Sequence, residues 1–374
     1  MNGVEKSFKG KVEAKFPERR ITMGRTAHLT KPTEEQTKLG RGTCQSRNMC
    51  MRGCAFGAYF SSNGGTLIAA NHTGNMTLQP DAVVTEIIYD PKLNKATGVR
   101  VLDANTKQTT EYYAKVIFLC ASTLNSTWIM MNSKSDRFPT GFGNDSDELG
   151  RNVMDHHFLV GAQADVDGYD DRYYIGRRPN GIYIPRFRNL GDAATKQKDF
   201  VRGYGYQGGA SRTGWQRLVA EMGFGKEMKE EMGEPGPWTM GITGFGEMLP
   251  YRDNRITLNH DVKDIHGLPT LTMDVTIRQN ELNMRKDMQS AAIEMMEAAG
   301  FKNVKGYDRT YAPGLGIHEM GTARMGRDAS HASRCRPSGN LDCERVARLS
   351  ANVGFGPIRR GAQPFHLRTA ARPA

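Results

Sequence analysis

From about Phe158 the sequence becomes a succession of short segments in which apolar and polar residues alternate, separated by Gly, Asp and Asn turns. They are HHFLVGAQADV, GIYIPRF, GITGFGEMLP, NRITLNHDV and LPTLTMDV. Period-two alternation puts one face of each segment in a core and the other in water, which predicts an antiparallel sheet. A sheet with one apolar face must be covered, and a cover follows it in the chain. Gln279–Ala299 carries Met284, Met288, Ala292, Met295, Met296 and Ala299 on one helical face, and Gly300 is placed to stop the helix. These methionines read as core filling. No internal repeat is evident.

The first 157 residues read differently. Residues 1–40 are polar and charged with weak periodicity, and predict irregular structure. Residues 76–88, MTLQPDAVVTEII, predict a strand interrupted by a Pro-Asp turn, followed by strands at ATGVRVLDA and YAKVIFLCAS. KVIFLCAS is apolar on both faces, which predicts a central, buried strand. It leads into TLNSTWIMMNS, a helix with Thr123 as its expected N-cap.

Length and charge bound the rest. A chain of 374 residues holds two ordinary domains or one large one. Its net charge is +11, but His331–Ala374 has eight Arg, no Lys and only Asp342 and Glu344 as acids, a net +6. The excess is therefore local, and no interleaved basic and aromatic motif accompanies it, so no nucleic-acid partner is expected. No apolar run reaches the roughly 18 residues of a membrane span, and the N-terminus shows no apolar signal core. No transmembrane segment is expected, and the compartment is left open.

Three constellations carry chemistry. The first is GIHEMGTARMG, Gly316–Gly326. Gly321 and Gly326 let backbone approach a ligand closely, Thr322 and neighbouring N–H groups suit an anionic ring edge, and the imidazole of His318 suits proton transfer near neutral pH. Standing alone, the motif reads more readily as a turn with a surface histidine, because many surface loops carry a histidine between glycines. The second is the C-x5-C-x3-C loop of Cys44, Cys50 and Cys54, three of six cysteines with Cys120, Cys335 and Cys343. Three thiolates at short spacing suit an iron–sulfur cluster, or zinc with one outside ligand; the competing reading is a structural loop of free thiols. The third is His156-His157. Adjacent strand residues point to opposite faces, so the pair reads as structural rather than as a metal site.

Taken together, these segments resemble the glucose–methanol–choline (GMC) oxidoreductases, in the branch containing pyranose oxidases and the gluconate, fructose and glucose dehydrogenases. The resemblance rests on VIFLCASTLNSTWIMMNS, LGRNVMDHH, NRITLNHDVKDIHGLPTLTMDV with the helix after it, and HEMGTARMG. These lie in family order over roughly residues 40–328. It implies an α/β fold, α+β overall, with a partial FAD-binding Rossmann-like domain and an antiparallel-sheet substrate domain. The expected blocks are 1–157 (flavin domain with the cysteine loop), 158–309 (substrate domain), 310–330 (return segment) and 331–374 (an aberrant, disordered tail). It implies FAD as cofactor and oxidation of an alcohol or sugar hydroxyl. His318 would be the base that takes the hydroxyl proton while hydride passes to the flavin. It further implies Val84, Ala121, Ser122, Gly321 and Thr322 near the cofactor. Cys44, Cys50 and Cys54 match the loop that holds a 3Fe–4S cluster in related glucose dehydrogenases. A small subunit, a cytochrome c acceptor and a periplasmic location carry over by analogy.

Two departures from the family set further expectations. Residues 1–40 contain no G-x-G-x-x-G phosphate loop, and MGRTAHL does not replace it. After Arg327 the match stops; one shifted base around AQPF would restore an Asn-Pro, which predicts a frameshift and gives Gln363 no catalytic role. The expectation is a truncated chain with impaired FAD binding and an exposed apolar edge at KVIFLCAS. The alternative is a non-enzymatic metal- or iron–sulfur-binding fragment using Cys44, Cys50 and Cys54.

Overall fold

The structure, a computed structural model, describes residues 1–47, 50, 53–169, 180–212, 224–233, 236–312 and 314–324. The elements in chain order are α1 (Gly3–Lys15), β1 (Thr22–Met23), α2 (Glu34–Lys38), α3 (Thr66–His72), β2 (Ala82–Asp90), β3 (Lys95–Asp103), β4 (Thr109–Tyr113), α4 (Ser122–Asn132) and β5 (His156–Val166). They continue with β6 (Ile182–Ile184), β7 (Tyr204–Arg212), α5 (Gly225–Gly233), β8 (Trp238–Glu247), β9 (Arg255–Lys263), β10 (Pro269–Asp274), α6 (Gln279–Ala298) and β11 (Lys302–Asp308). Every strand pair among the described residues is antiparallel. The fold is thus mixed helix and antiparallel sheet, the α+β arrangement the sequence predicts. The frameshift reading of the tail falls outside the described residues.

The chain forms two compact units interleaved along the sequence. The first comprises Met1–Ala69, His156–Met248 and Ile277–Ala312. Its sheet runs β1-β6-β7-β8-β5-β11, and α6 lies across β5, β8 and β11. Met284, Met288, Met295 and Met296 are fully buried there, so the methionines are core filling as expected. Gly300, at φ +71°, ends the helix. On β8 the buried positions alternate: Trp238, Met240, Ile242, Gly244 and Gly246. The last two are glycines because large neighbours occupy the space above them. A Cβ on Gly244 would lie 2.6 Å from Met288 Sδ, and one on Gly246 would lie 2.2 Å from the His157 ring.

The first forty residues are not irregular throughout, because they begin with α1. Asn2 and Glu5 form a reciprocal capping box at the start of α1, and Asn2 and Glu5 also bond the backbone of Ala210 on β7. Val4, Phe8 and Val12, spaced by four, are fully buried in the same core as α6. Burial of each contributes about 1.5–3 kcal/mol, enough to hold a helix whose polar face dominates its composition.

The second unit comprises Ala70–Asp155, Leu249–Thr276 and the segment from Pro313. It contains the sheet β2-β3-β4, the hairpin β9-β10, and α4 packed against β2 and β9. The predicted buried strand at KVIFLCAS is not a strand. Ile117 and Leu119 are buried, but Val116 and Phe118 are 43% and 62% exposed, and no backbone bond pairs 116–120 among the described residues. Without a neighbour to complete a ladder, an apolar run reads as extended chain with one wet face. Thr123 is not the N-cap of α4 either; Ala121 holds that position and makes no side-chain cap bond.

In the first unit, His157 is 1% exposed, with Nε2 3.2 Å from the Glu247 carbonyl and Nδ1 without a partner. Burial, with the Arg285 charge nearby, lowers its pKa from 6.5 to about 4. A depressed histidine pKa means the unfolded chain takes up a proton as pH falls through 6.5 while the folded chain does not. The stabilisation is complete above pH 6.5 and is lost toward pH 4. Urea unfolding at pH 7.5 and pH 4.5 should show His157 accounting for a loss of about 2–3 kcal/mol, and His157→Gln should reduce the pH dependence by that amount.

Candidate active site

In the second unit, the glycine-rich segment lies antiparallel on residues 150–155. Met154 and Met320 exchange both backbone hydrogen bonds at 2.9 Å, and Gly150 N donates to the Thr322 carbonyl at 2.7 Å. Gly321 makes this approach possible. Its φ is +101°, and a Cβ there would sit 1.8 Å from the Asn152 carbonyl oxygen. At the other end Gly316 N donates to Asp155 Oδ2 at 2.7 Å, and a Cβ on Gly316 would collide with that carboxylate at 2.2 Å. Side chains add a second set of ties. Thr123 on α4 donates to the Glu319 carbonyl, and the hydroxyls of Thr127 and Thr322 meet at 2.6 Å in a buried contact. Arg324 reaches Glu148 at 3.2 Å, and Glu148 also accepts from Arg252 and Asn152. Burial pushes the Glu148 pKa up, but those three donors outweigh it and hold the carboxyl below its ordinary value.

His318 sits between these anchors and is exposed. Its neighbour Ile317 has φ +74° and is 77% exposed. A β-branched residue in the left-handed region is a true backbone outlier, and such strain persists only where surrounding bonds over-determine it. Asp155 on one side and the Met154–Met320 pair on the other supply that determination.

Of the other residues expected near a cofactor, Ser122 is exposed at the N-terminus of α4 with φ +64°, and Ala121 before it is buried. The Thr123 and Thr127 bonds bring this helix end to Glu319–Thr322. The Thr322 hydroxyl is committed to Thr127, so what the segment offers a ligand at 321–322 is backbone. Val84 is on the edge strand β2 beside a register shift at Val84/Glu86, with its side chain in the core of this unit. Only its backbone is available to a ligand.

The cysteine loop belongs to the first unit. Cys50 Sγ lies 3.3 Å from His28 Nε2, and Cys44 accepts from Ser46 N at 3.4 Å. Cys54 has its pKa lowered by the backbone N–H of Tyr59, with further help from those of Phe56 and Ala58; burial raises that of Cys50. The neighbouring thiols of Cys54 and Cys44 raise the Cys50 pKa further. Among the described residues no group of three or more His, Cys, Asp or Glu side chains is arranged to hold a metal ion. The expectation that Cys44, Cys50 and Cys54 form a ligand set for a 3Fe–4S cluster or zinc thus finds no support among the described residues.

The GMC oxidoreductase family models match residues 31–158 and 250–340. The chain belongs to the GMC oxidoreductase family. This GMC chain is 30% identical over 268 residues to the fructose dehydrogenase large subunit of Gluconobacter japonicus, covering 68% of this chain and 47% of the relative. It is 26% identical over 242 residues to the 2-methyl-1,2-propanediol dehydrogenase of Mycolicibacterium austroafricanum, covering 63% and 43%. The chain thus spans less than half the length of these relatives. A solved formate oxidase overlaps it with a TM-score of 0.47 at 15% identity, over 74% of this chain and 55% of that one. No helix among the described residues is long and apolar enough to cross a membrane.

The GMC family implies FAD, and the second unit fits an anionic ring edge. The first turn of α4 has no side-chain cap, its N–H groups carry the positive end of the helix dipole, and it lies against the backbone of Glu319–Thr322. Sequence reading missed Asp155, Glu148 and Thr127, although two of them lie in LGRNVMDHH and its approach. Their signal was available: carboxylates and a hydroxyl in stretches otherwise buried need partners.

Two outcomes follow. Gly321→Ala should destabilise this unit by about 2–3 kcal/mol through collision and strain, read by chemical denaturation. Thr127→Val should cost about 1–3 kcal/mol by orphaning the Thr322 hydroxyl, and Thr127→Val with Thr322→Val should recover most of that loss.

Proposed function

We propose that this chain acts in the FAD-dependent oxidation of an alcohol or sugar CH–OH group, with His318 as the base. The carrying observation is the strained Ile317–His318 turn, anchored on both sides yet leaving the imidazole exposed. Family membership supplies the class of reaction. FAD, when bound, supplies the hydride acceptor. His318 takes the hydroxyl proton, and the anchored backbone on either side of it limits where its imidazole can be carried. The uncapped end of α4, with Ala121 and Ser122, and the backbone of Gly321 and Thr322 would hold the polar edge of the ring, and the backbone at Val84 a second part of the cofactor.

The substrate class rests on the relatives' names, a fructose dehydrogenase and a 2-methyl-1,2-propanediol dehydrogenase. The first of these is a large subunit. By extension, a smaller partner subunit is proposed for this chain, with onward transfer of electrons to a cytochrome. An iron–sulfur relay is not part of this proposal.

The test is anaerobic reduction of FAD-loaded protein by a panel of sugars and diols, followed by loss of flavin absorbance. His318→Asn should slow reduction by a factor of about 10²–10⁴ while FAD affinity is unchanged. An unchanged rate in His318→Asn would remove the histidine from the chemistry.

A further inference from the structure

The second unit carries another concave feature that the candidate active site does not use. It is a cleft of about 240 Å³ lined by Lys134, Arg151, Arg255 and His260 over an apolar floor that includes Leu149 and Ile256. Asp147 is its single acidic lining residue. Two observations give this cleft a direction. Arg151 and Arg255 are direct partners across an antiparallel bridge, closed by the Ile256 N–H on the Gly150 carbonyl at 2.8 Å. Like charges directly opposite each other on paired backbone destabilise the pairing unless an anion lies between or beside them. Asp147 meets only part of this need. It bonds Arg151 at 2.5 Å and is shared with Arg252 at 3.8 Å. Among the described residues, Arg255, Lys134 and His260 have no hydrogen-bonding or ion-pair partner for their side chains.

We propose that this cleft binds a phosphate group, free or as a small phosphate ester. The Arg255 guanidinium can bond phosphate oxygens in a bidentate fork, Arg151, whose Nε and Nη2 donate to Asp147, adds positive charge, and the Lys134 ammonium supplies a further donor as a point charge. Lys134 lies just beyond α4, while Arg151 and Arg255 come from two paired segments, so the donors approach from different elements. Lys134, Arg255 and His260 stand exposed around a floor closed by Leu149 and Ile256. The volume is below the roughly 300 Å³ of common small-molecule pockets, which limits the ligand to a phosphoryl group with few carbons. This proposal does not depend on the oxidoreductase reading, because its readout is binding alone.

The experiment is calorimetric titration of the full chain with inorganic phosphate and, separately, glycerol phosphate, at low and high sodium chloride. Saturable binding that weakens with salt is expected, with Arg255→Gln lowering affinity at least tenfold and Lys134→Gln severalfold. Arg255→Lys should fall between, since it keeps the charge and loses the fork. Tighter binding of glycerol phosphate would identify the ester as the ligand; equal or weaker binding would identify free phosphate. Phosphate should also raise the thermal midpoint of the wild type and not that of Arg255→Gln. Absence of saturable binding, or wild-type affinity in both folded Arg255→Gln and Lys134→Gln, overturns the proposal.

Discussion

The second unit depends on one close backbone approach. Gly321 brings its segment against Asn152 closely enough that no side chain fits, and from that contact the other ties follow. Met154 and Met320 can pair only at that separation. Thr322 can then reach Thr127, and Gly316 can reach Asp155. A set of bonds that form together is more rigid than their individual energies suggest, since each lowers the entropy the next must overcome. Rigidity is what a base needs when it acts on a substrate held elsewhere, because misplacement of about 1 Å is enough to cost a large factor in rate.

The first unit solves a different problem, the covering of a wide antiparallel sheet. The methionine face of α6 and the small apolar face of α1 share the work. Glycines at 244 and 246 let Met288 and His157 settle onto β8. The histidine is the cost of that packing. One ring nitrogen finds the Glu247 carbonyl and the other finds nothing, so the site tolerates the neutral imidazole and opposes its protonation.

Legibility in the sequence followed the strength of periodic signals. The alternating strands and α6 were readable because their burial pattern repeats over many residues. α1 was not, because its three buried residues are diluted by a charged face, although Asn2 and Glu5 announce a capping box. KVIFLCAS was misread for the opposite reason: its composition suits a buried strand, but Val116 and Phe118 find no partner among the described residues. The spacing of the cysteine loop does not encode its local contacts, which Cys44, Cys50 and Cys54 make with Ser46, His28 and the backbone of 56–59. His318 stands out through its motif, whereas Asp155 and Glu148, which hold that motif's ends, need three-dimensional contacts to be seen.

The strain at Ile317 gives the arrangement its meaning. A glycine there would adopt φ +74° without penalty, and a purely structural turn would be served by it. Isoleucine in that conformation costs on the order of 1–2 kcal/mol, and its side chain is exposed, so burial does not offset the cost. The compensation must come from the bonds on either side, at Asp155 and at the Met154–Met320 pair. A β-branched residue also narrows the backbone's alternatives, because few other conformations fit between those two anchors. Restricting the residue beside an exposed imidazole is what the role proposed for His318 would require.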